Sequence, residues 1–260
     1  MARAFPHPAR PLVLAAAASL LLSASLSTPT FAADNAHCNP DGLWQAGMIV
    51  NGQKHGASGT IDGQDLNQCT SPDLFETSGT FAWSAVQNGG WPETIVQIGI
   101  GKCRDPGNFG CGSDMRYLWA YGRNPNAPGC SGKSLRIPAP SSLSGYDGAA
   151  HDYKVYHKNN AWRVYVGNTE KTSVSESEVC WTPAEAVWFS ETWDTGDALG
   201  GSVGNKLVTN STNYANAENG GFFWTNFPGP FPNEACSAEP GGVRKCQITG
   251  AQKFQTWTDR

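Results

Sequence analysis

The sequence predicts an all-β protein, an antiparallel two-sheet β-sandwich of the jelly-roll kind, stapled by disulfides. Short runs of alternating apolar and polar residues, separated by Gly, Asn, Pro and Ser clusters, are typical of this class. Aromatic residues make up 11% of the 260 residues, and charged residues only 15%. Aromatic side chains suit a pleated, half-buried surface, and this composition excludes a coiled coil and a disordered chain.

Residues 1–32 have the pattern of a secretory signal peptide. A start with two arginines precedes an apolar run at residues 12–22, and Thr30-Phe31-Ala32 matches a small-x-Ala cleavage site. The apolar run is shorter than the roughly 20 residues of a spanning helix, which disfavours a membrane anchor. We therefore expect a secreted, extracellular protein with one β-sandwich domain at residues 33–260.

The charge of the chain gives it no affinity for polyanions. Its formal net charge is −4, and removal of residues 1–32 takes away two arginines and no acid, which leaves −6. A protein of this charge does not attract nucleic acid or an anionic membrane surface. We expect a monomer with neither partner.

Eight cysteines follow residue 32, and an even number in an exported chain predicts four disulfides. Eight cysteines allow 105 pairings, so the connectivity stays open, although close spacing favours Cys103–Cys111 and Cys236–Cys246. No Cys-x-x-Cys or Cys-x-x-His spacing is present, so we expect no metal site. The predicted disulfide cysteines are Cys38, Cys69, Cys103, Cys111, Cys130, Cys180, Cys236 and Cys246.

The first predicted strands lie on either side of Asn51-Gly52. Met48-Ile49-Val50 precedes this dipeptide and Thr60-Ile61 follows it, which predicts a β-hairpin. The clearest alternation then spans residues 93–102, where Gln97 shares a face with Ile95 and Gly99.

Further strands are predicted along the rest of the chain. Asn159-Asn160 lies between two alternating runs and predicts a second hairpin. His151 and His157 stand at the two ends of one of these runs and are expected on the surface. Helix is expected to be limited to one turn within residues 173–179, because no longer window has a 3.6-residue apolar period. The other predicted strands span residues 80–86, 116–122, 187–194, 221–226 and 247–257.

Glu191 is the first candidate for chemistry. Alternation places it on one face with Val187, Phe189 and Trp193, so a carboxyl group lies among large apolar side chains. Burial there is expected to raise the pKa of Glu191, as in carboxyl groups that act as acid or base. The alternation alone leaves open a solvated face or a structural hydrogen-bond network.

Gln97 is the second candidate. A buried amide in a β-forming run needs a hydrogen-bond partner, and the adjacent Gly99 is the residue type found where another group approaches closely. A glutamine on the sheet surface is the open alternative.

These segments together resemble a known family. Ile95-Val96-Gln97-Ile98-Gly99-Ile100, Tyr117-Leu118-Trp119-Ala120-Tyr121 and Ala186-Val187-Trp188-Phe189-Ser190-Glu191 resemble the glutamine strand, the aromatic strand and the glutamate segment of eqolisins, the fungal glutamic peptidases. Their order is also similar to that in the neprosin family, although this chain has Gln97 where neprosins have glutamate and lacks their Gly-Gly-Glu run. The resemblance covers roughly residues 91–227.

The resemblance implies a secreted glutamic endopeptidase that acts on polypeptides without metal or cofactor. Glu191 would be the general base and Gln97 the oxyanion donor, while Trp119, Tyr121 and Trp193 would line the cleft. Joint action on one water requires the polar atoms of Glu191 and Gln97 to lie within about 3–6 Å of each other.

A binding module is the alternative function. Aromatic rings such as Trp91, Trp119 and Trp193 would stack on sugars in a lectin-like sandwich, and the partner would then be a glycan. The position of Gln97 relative to Glu191 distinguishes the two functions.

Overall fold

A computed structural model describes most of the chain after residue 43, and the described residues belong to one compact unit. The predicted signal peptide, and with it the boundary at residue 32, lies outside the described residues. The described ranges are 44–66, 78–88, 94–104, 114–123, 141–183, 185–192, 200–202, 204–226 and 244–258.

The described residues form strands and one short helix. In chain order they are β1 (Trp44–Val50), β2 (Gly56–Ile61), β3 (Ser78–Gln87), β4 (Ile95–Arg104), β5 (Arg116–Tyr121), β6 (Ser141–Leu143), β7 (His151–His157), β8 (Ala161–Val166), β9 (Thr169–Ser175), α1 (Glu176–Val179), β10 (Glu185–Thr192), β11 (Gly201–Ser202), β12 (Asn205–Ala215), β13 (Phe222–Trp224), β14 (Arg244–Gly250) and β15 (Lys253–Thr258).

The strands form two sheets, which confirms the predicted all-β class. The first sheet has the order β1-β10-β3-β4-β5-β6 and the second the order β14-β15-β11-β12-β2-β7-β8-β9, with β13 on β12. Neighbouring strands are antiparallel except where Ser202 of β11 pairs with Thr258 of β15. Within the described ranges, no helix is long and apolar enough to cross a membrane.

The two predicted hairpins have different outcomes. Asn159 and Asn160 both have left-handed φ values, 55° and 56°, and join β7 to β8 in the type I′ geometry that suits paired strands. The hairpin predicted at Asn51-Gly52 is wrong, because β1 pairs with β10 whereas β2 pairs with β7 and β12. The turn signal is local, but the choice of partner strand depends on burial against distant segments.

The main core lies between the two sheets. Ile98 and Trp188 of the first sheet pack with Tyr153 and Val164 of the second. Trp188 also donates its indole Nε1–H to the Ser58 carbonyl oxygen at 2.9 Å, so a hydrogen bond crosses the core. A buried indole nitrogen needs such an acceptor, and this one ties β10 to β2.

The other face of the first sheet carries a second apolar cluster. Every member of this cluster is buried, so both faces of the first sheet are apolar. This second face bears Gln97 and Glu191, because residues opposite each other in neighbouring strands point the same way. Its buried members are Phe81, Trp83, Ala85, Ile95, Cys103, Leu118 and Phe189.

The disulfides remain a prediction. Of the eight cysteines, Cys103, Cys180 and Cys246 lie in the described ranges, and none of these three is a free thiol. The other five cysteines lie outside the described residues, and so does the evidence for which cysteines pair.

Candidate functional site

Glu191 lies near the end of β10 and is only 2% exposed. It faces the second apolar cluster, together with Val187 and Phe189 of its own strand. Across the sheet it is level with Phe81 of β3 on one side and with Gln45 of β1 on the other. A carboxyl group thus lies in an apolar environment, as its alternation with Val187 and Phe189 predicts.

Trp83 of β3 holds the Glu191 carboxyl group. Its indole Nε1–H donates to Glu191 Oε2 at 3.1 Å, and the indole is itself fully buried. The indole nitrogen has no acceptor ability, so it stabilises the negative charge and fixes the carboxyl orientation. Phe81, stacked on Trp83 with ring centroids 5.2 Å apart, covers the same region.

Gln97 lies on the same face in β4 and is 4% exposed. Its Oε1 makes no hydrogen bond with the described residues. Beside it, a Cβ on Gly99 would lie 1.8 Å from the Ala82 carbonyl oxygen. The group that approaches Gly99 is therefore the backbone of β3, and only glycine fits there.

The register separates Gln97 from Glu191. Gln97 of β4 and Val187 of β10 pair with the same residue of the intervening strand β3, and Gly101 of β4 and Glu191 likewise share a partner. Gln97 and Glu191 are therefore two strands apart and offset by four residues along the strand direction. On an ideal sheet this offset puts their Cα atoms roughly 16 Å apart. Among the described residues no hydrogen bond links them, and the Trp83 indole lies in the rows between them.

The predicted cleft aromatics lie elsewhere. Trp119 and Tyr121 stack with ring centroids 5.3 Å apart, are half-buried, and pack against the main core. They alternate with Leu118 and Ala120, which share the face of Gln97, so Trp119 and Tyr121 lie on the opposite face of the sheet. Trp193 and Trp91 lie outside the described residues.

Sequence reasoning missed two neighbours of Glu191. Alternation places Trp83 with Phe81 on one face of β3, but only the register shows that this face meets Glu191. Gln45 is exposed and directly opposite Glu191, where Cβ atoms lie about 5 Å apart. No local signal marks either contact, because β1, β3 and β10 are distant in the chain.

No metal cluster stands near this site in the part of the chain that the structure describes. There, no group of three or more His, Cys, Asp or Glu side chains is arranged to hold a metal ion.

Comparison with known proteins finds similarity in solved structures alone. No protein family model and no curated protein matches the chain. A scytalido-glutamic peptidase bound to a peptide-based transition state analog is 12% identical, with a TM-score of 0.43 over 83% of this chain and 98% of that one. SCP-B, a member of the eqolisin family in complex with the tripeptide Ala-Ile-His, is 12% identical, with a TM-score of 0.42 over 82% and 97%.

Glycosidases are also among the similar structures. A glycoside hydrolase family 16 endo-glucanase from Bacteroides ovatus is 12% identical, with a TM-score of 0.34 over 60% of this chain and 70% of that one. At these identities and scores the resemblance is weak, and it assigns no activity to this chain.

Proposed function

We propose that the protein is a secreted hydrolase that cleaves polypeptides, with Glu191 as its acid–base group. The observation that carries the proposal is the buried Glu191 carboxyl group, fixed by the Trp83 indole on an apolar face. Such a surrounding adapts a carboxyl group to proton transfer. The sequence resemblance to glutamic peptidases supports a peptide as the substrate.

The proposed mechanism uses general acid–base chemistry. Glu191 takes a proton from a water molecule as that water attacks the peptide carbonyl carbon, and it then returns the proton to the leaving amine. Trp83 keeps the carboxyl group aimed in one direction through both steps. An amide N–H stabilises the oxyanion that develops between them.

Two glutamines on this face are candidates for the amide donor. Gln97 is the donor that the resemblance implies, although the roughly 16 Å between its Cα atom and that of Glu191 does not fit the separation of about 3–6 Å expected for joint action on one water. Gln45 lies directly opposite Glu191 and is open to solvent. The two candidates lead to opposite expectations for the variants Gln97→Ala and Gln45→Ala.

The proposal is tested by peptide cleavage with Glu191→Gln. We expect the wild-type secreted protein to digest casein at some pH between acidic and neutral, and Glu191→Gln to abolish digestion because it keeps the shape and removes the base. Glu185→Gln is the matched control. Glu185 lies on the same strand and face, but it bonds Gln87 at 2.9 Å, six residues from Glu191.

The same assay separates the amide donors. Loss of an oxyanion donor slows cleavage by roughly 10²-fold or more, so either Gln97→Ala or Gln45→Ala should do so while the other stays near wild type. Cleavage by Glu191→Gln at the wild-type rate would refute the proposed role of Glu191.

A glycan-binding module is the second candidate. The stacked, half-buried pair of Trp119 and Tyr121, with ring planes 26° apart, is the observation that favours it. A wild-type protein that cleaves no peptide, and whose retardation by a soluble glucan in affinity electrophoresis is lost in Trp119→Ala, would favour this function over the hydrolase.

A further inference from the structure

Two histidines at one end of the second sheet face each other through the same ring atom. His55 directly precedes β2 and His157 ends β7, and their Nδ1 atoms lie 3.0 Å apart. Contrary to the expectation of a surface position, His157 is only 3% exposed. The main chain fixes both residues, because His157 N donates to His55 O at 2.8 Å and His55 N donates to Ala215 O at 2.7 Å.

The two rings lie edge to edge. Their planes differ by 13° and their centroids are 5.3 Å apart. The centroid separation of 5.3 Å exceeds the Nδ1–Nδ1 distance of 3.0 Å by 2.3 Å, which is the extent of the two half-rings that lie between the centroids and the nitrogens. The two nitrogens of His55 and His157 therefore point at each other in the ring planes, as in a linear hydrogen bond.

A hydrogen bond between two Nδ1 atoms requires one proton, supplied by one ring and accepted by the other. His157 Nε2 is buried, makes no hydrogen bond with the described residues, and lies 3.6 Å from Glu176 Oε2. A carboxylate at that position favours a proton on Nε2 of His157. In that tautomer His157 Nδ1 is the acceptor and His55 Nδ1–H is the donor.

The surroundings of the pair are apolar on one side and acidic on the other. Trp162 of β8 stacks on His157 with ring centroids 4.6 Å apart. Glu176 of α1 and Glu218, which follows β12, are the charged groups that favour a proton on His55. Burial lowers the pKa of His55, the facing His157 lowers it further, and the two glutamates oppose both effects. Lys54, which precedes His55 in the chain, donates its Nζ–H to Asn216 Oδ1.

We propose that His55 and His157 form a single proton-binding site that holds one proton between their Nδ1 atoms and is driven open by excess protons at acidic pH. The first added proton goes to Nε2 of His55 and leaves the shared hydrogen bond intact. The next proton must go to Nδ1 of His157, and two N–H groups would then face each other at 3.0 Å. The rings separate, which uncovers Trp162.

The number of protons bound by the folded and unfolded states gives the direction in which stability changes with pH. In the unfolded chain both histidines titrate freely near pH 6.5 and bind two added protons in acid. The closed pair binds at most one, so the unfolded state binds more protons as the pH falls. The folding equilibrium constant then decreases by up to about tenfold per pH unit below that range.

The test compares urea unfolding of three secreted proteins between about pH 7 and pH 4. His55→Asn replaces the facing nitrogen of the less buried partner with an amide whose oxygen accepts a hydrogen bond from a protonated ring, so we expect its pH dependence to be flatter than that of wild type by up to about tenfold per pH unit. Ser173→Asn introduces the same residue at an exposed, uncharged position of β9 and should keep the wild-type slope. Equal slopes for wild type and His55→Asn would overturn the proposal.

A direct observation of the protons makes the test independent of variant folding. Long-range ¹⁵N–¹H spectra of the imidazole groups of wild type at pH 7 should show His157 protonated at Nε2 and His55 at Nδ1. As the pH falls, one ring of the closed pair should become a cation, and two cationic rings should be seen only when the pair opens. Two cationic rings in the closed pair, or no proton on either Nδ1 at pH 7, would refute the shared site.

Discussion

Asp147 shows how one exposed side chain connects distant parts of this molecule. Its Oδ1 accepts hydrogen bonds from the Ala149 backbone N–H at 2.9 Å, from Tyr117 Oη at 3.0 Å and from His151 Nε2 at 2.9 Å. The Ala149 N–H, followed by His151 and Tyr117, lowers the pKa of Asp147 to about 2. Burial, with Asp147 next, raises the pKa of Tyr117 to about 12. The carboxylate thus links β5 of the first sheet to β7 of the second.

We expect Asp147→Asn to change the acid stability of the protein. The folded pKa of about 2 lies below the ordinary value of 3.8, so the stabilisation by Asp147 is complete above about pH 4 and is lost as the pH falls towards 2. The melting temperature of wild type should therefore drop more steeply than that of Asp147→Asn in this window. Parallel melting curves from pH 5 to pH 2 would contradict the role given to Asp147.

At the scale of elements, β2 and β10 depend on a glycine that makes room for an indole. A Cβ on Gly59 would lie 2.9 Å from Trp188 Cδ1 and 3.1 Å from its Nε1. Trp188 cannot retreat, because it is fully buried and bonds the Ser58 carbonyl oxygen. A side chain at residue 59 would therefore force β2 and β10 to shift apart.

Gly59→Ala is expected to destabilise the fold by about 1–3 kcal/mol, the usual cost of overpacking a dense core. Urea unfolding with an unchanged m-value would measure it. Gly204→Ala is the matched control, because no atom lies within 4 Å of a Cβ placed there. Equal free energies of unfolding for the two variants would show that β2 and β10 can move apart at no cost.

The sequence predicts those features of the fold that depend only on residues close together in the chain. The alternation in β4 and the Asn159-Asn160 turn are local, and both are present in the structure. The pairing of β1 with β10 is not local, and therefore the hairpin at Asn51-Gly52 is wrong.

The candidate site also combines local features, which the sequence predicts, with features that depend on the pairing of distant strands. The burial of Glu191 is predictable from the apolar residues that alternate with it, while its bond to Trp83 depends on the register of β3 against β10. The face of Trp119 likewise depends on the register between β4 and β5. For His157, burial depends on the stacked Trp162 and on His55, which lies far back in the chain.

The pairing of β1 with β10 also sets the order of events during synthesis. Trp44 is level with Thr192 and Val50 with Ala186, so β1 has no partner until most of the chain has been made. Such non-local pairing slows folding to milliseconds or seconds, because a long loop must close, with a loss of chain entropy, before stabilising contacts form. The first sheet is therefore completed only when β10 has been made, and β11 to β15, the last strands of the chain, then complete the second sheet.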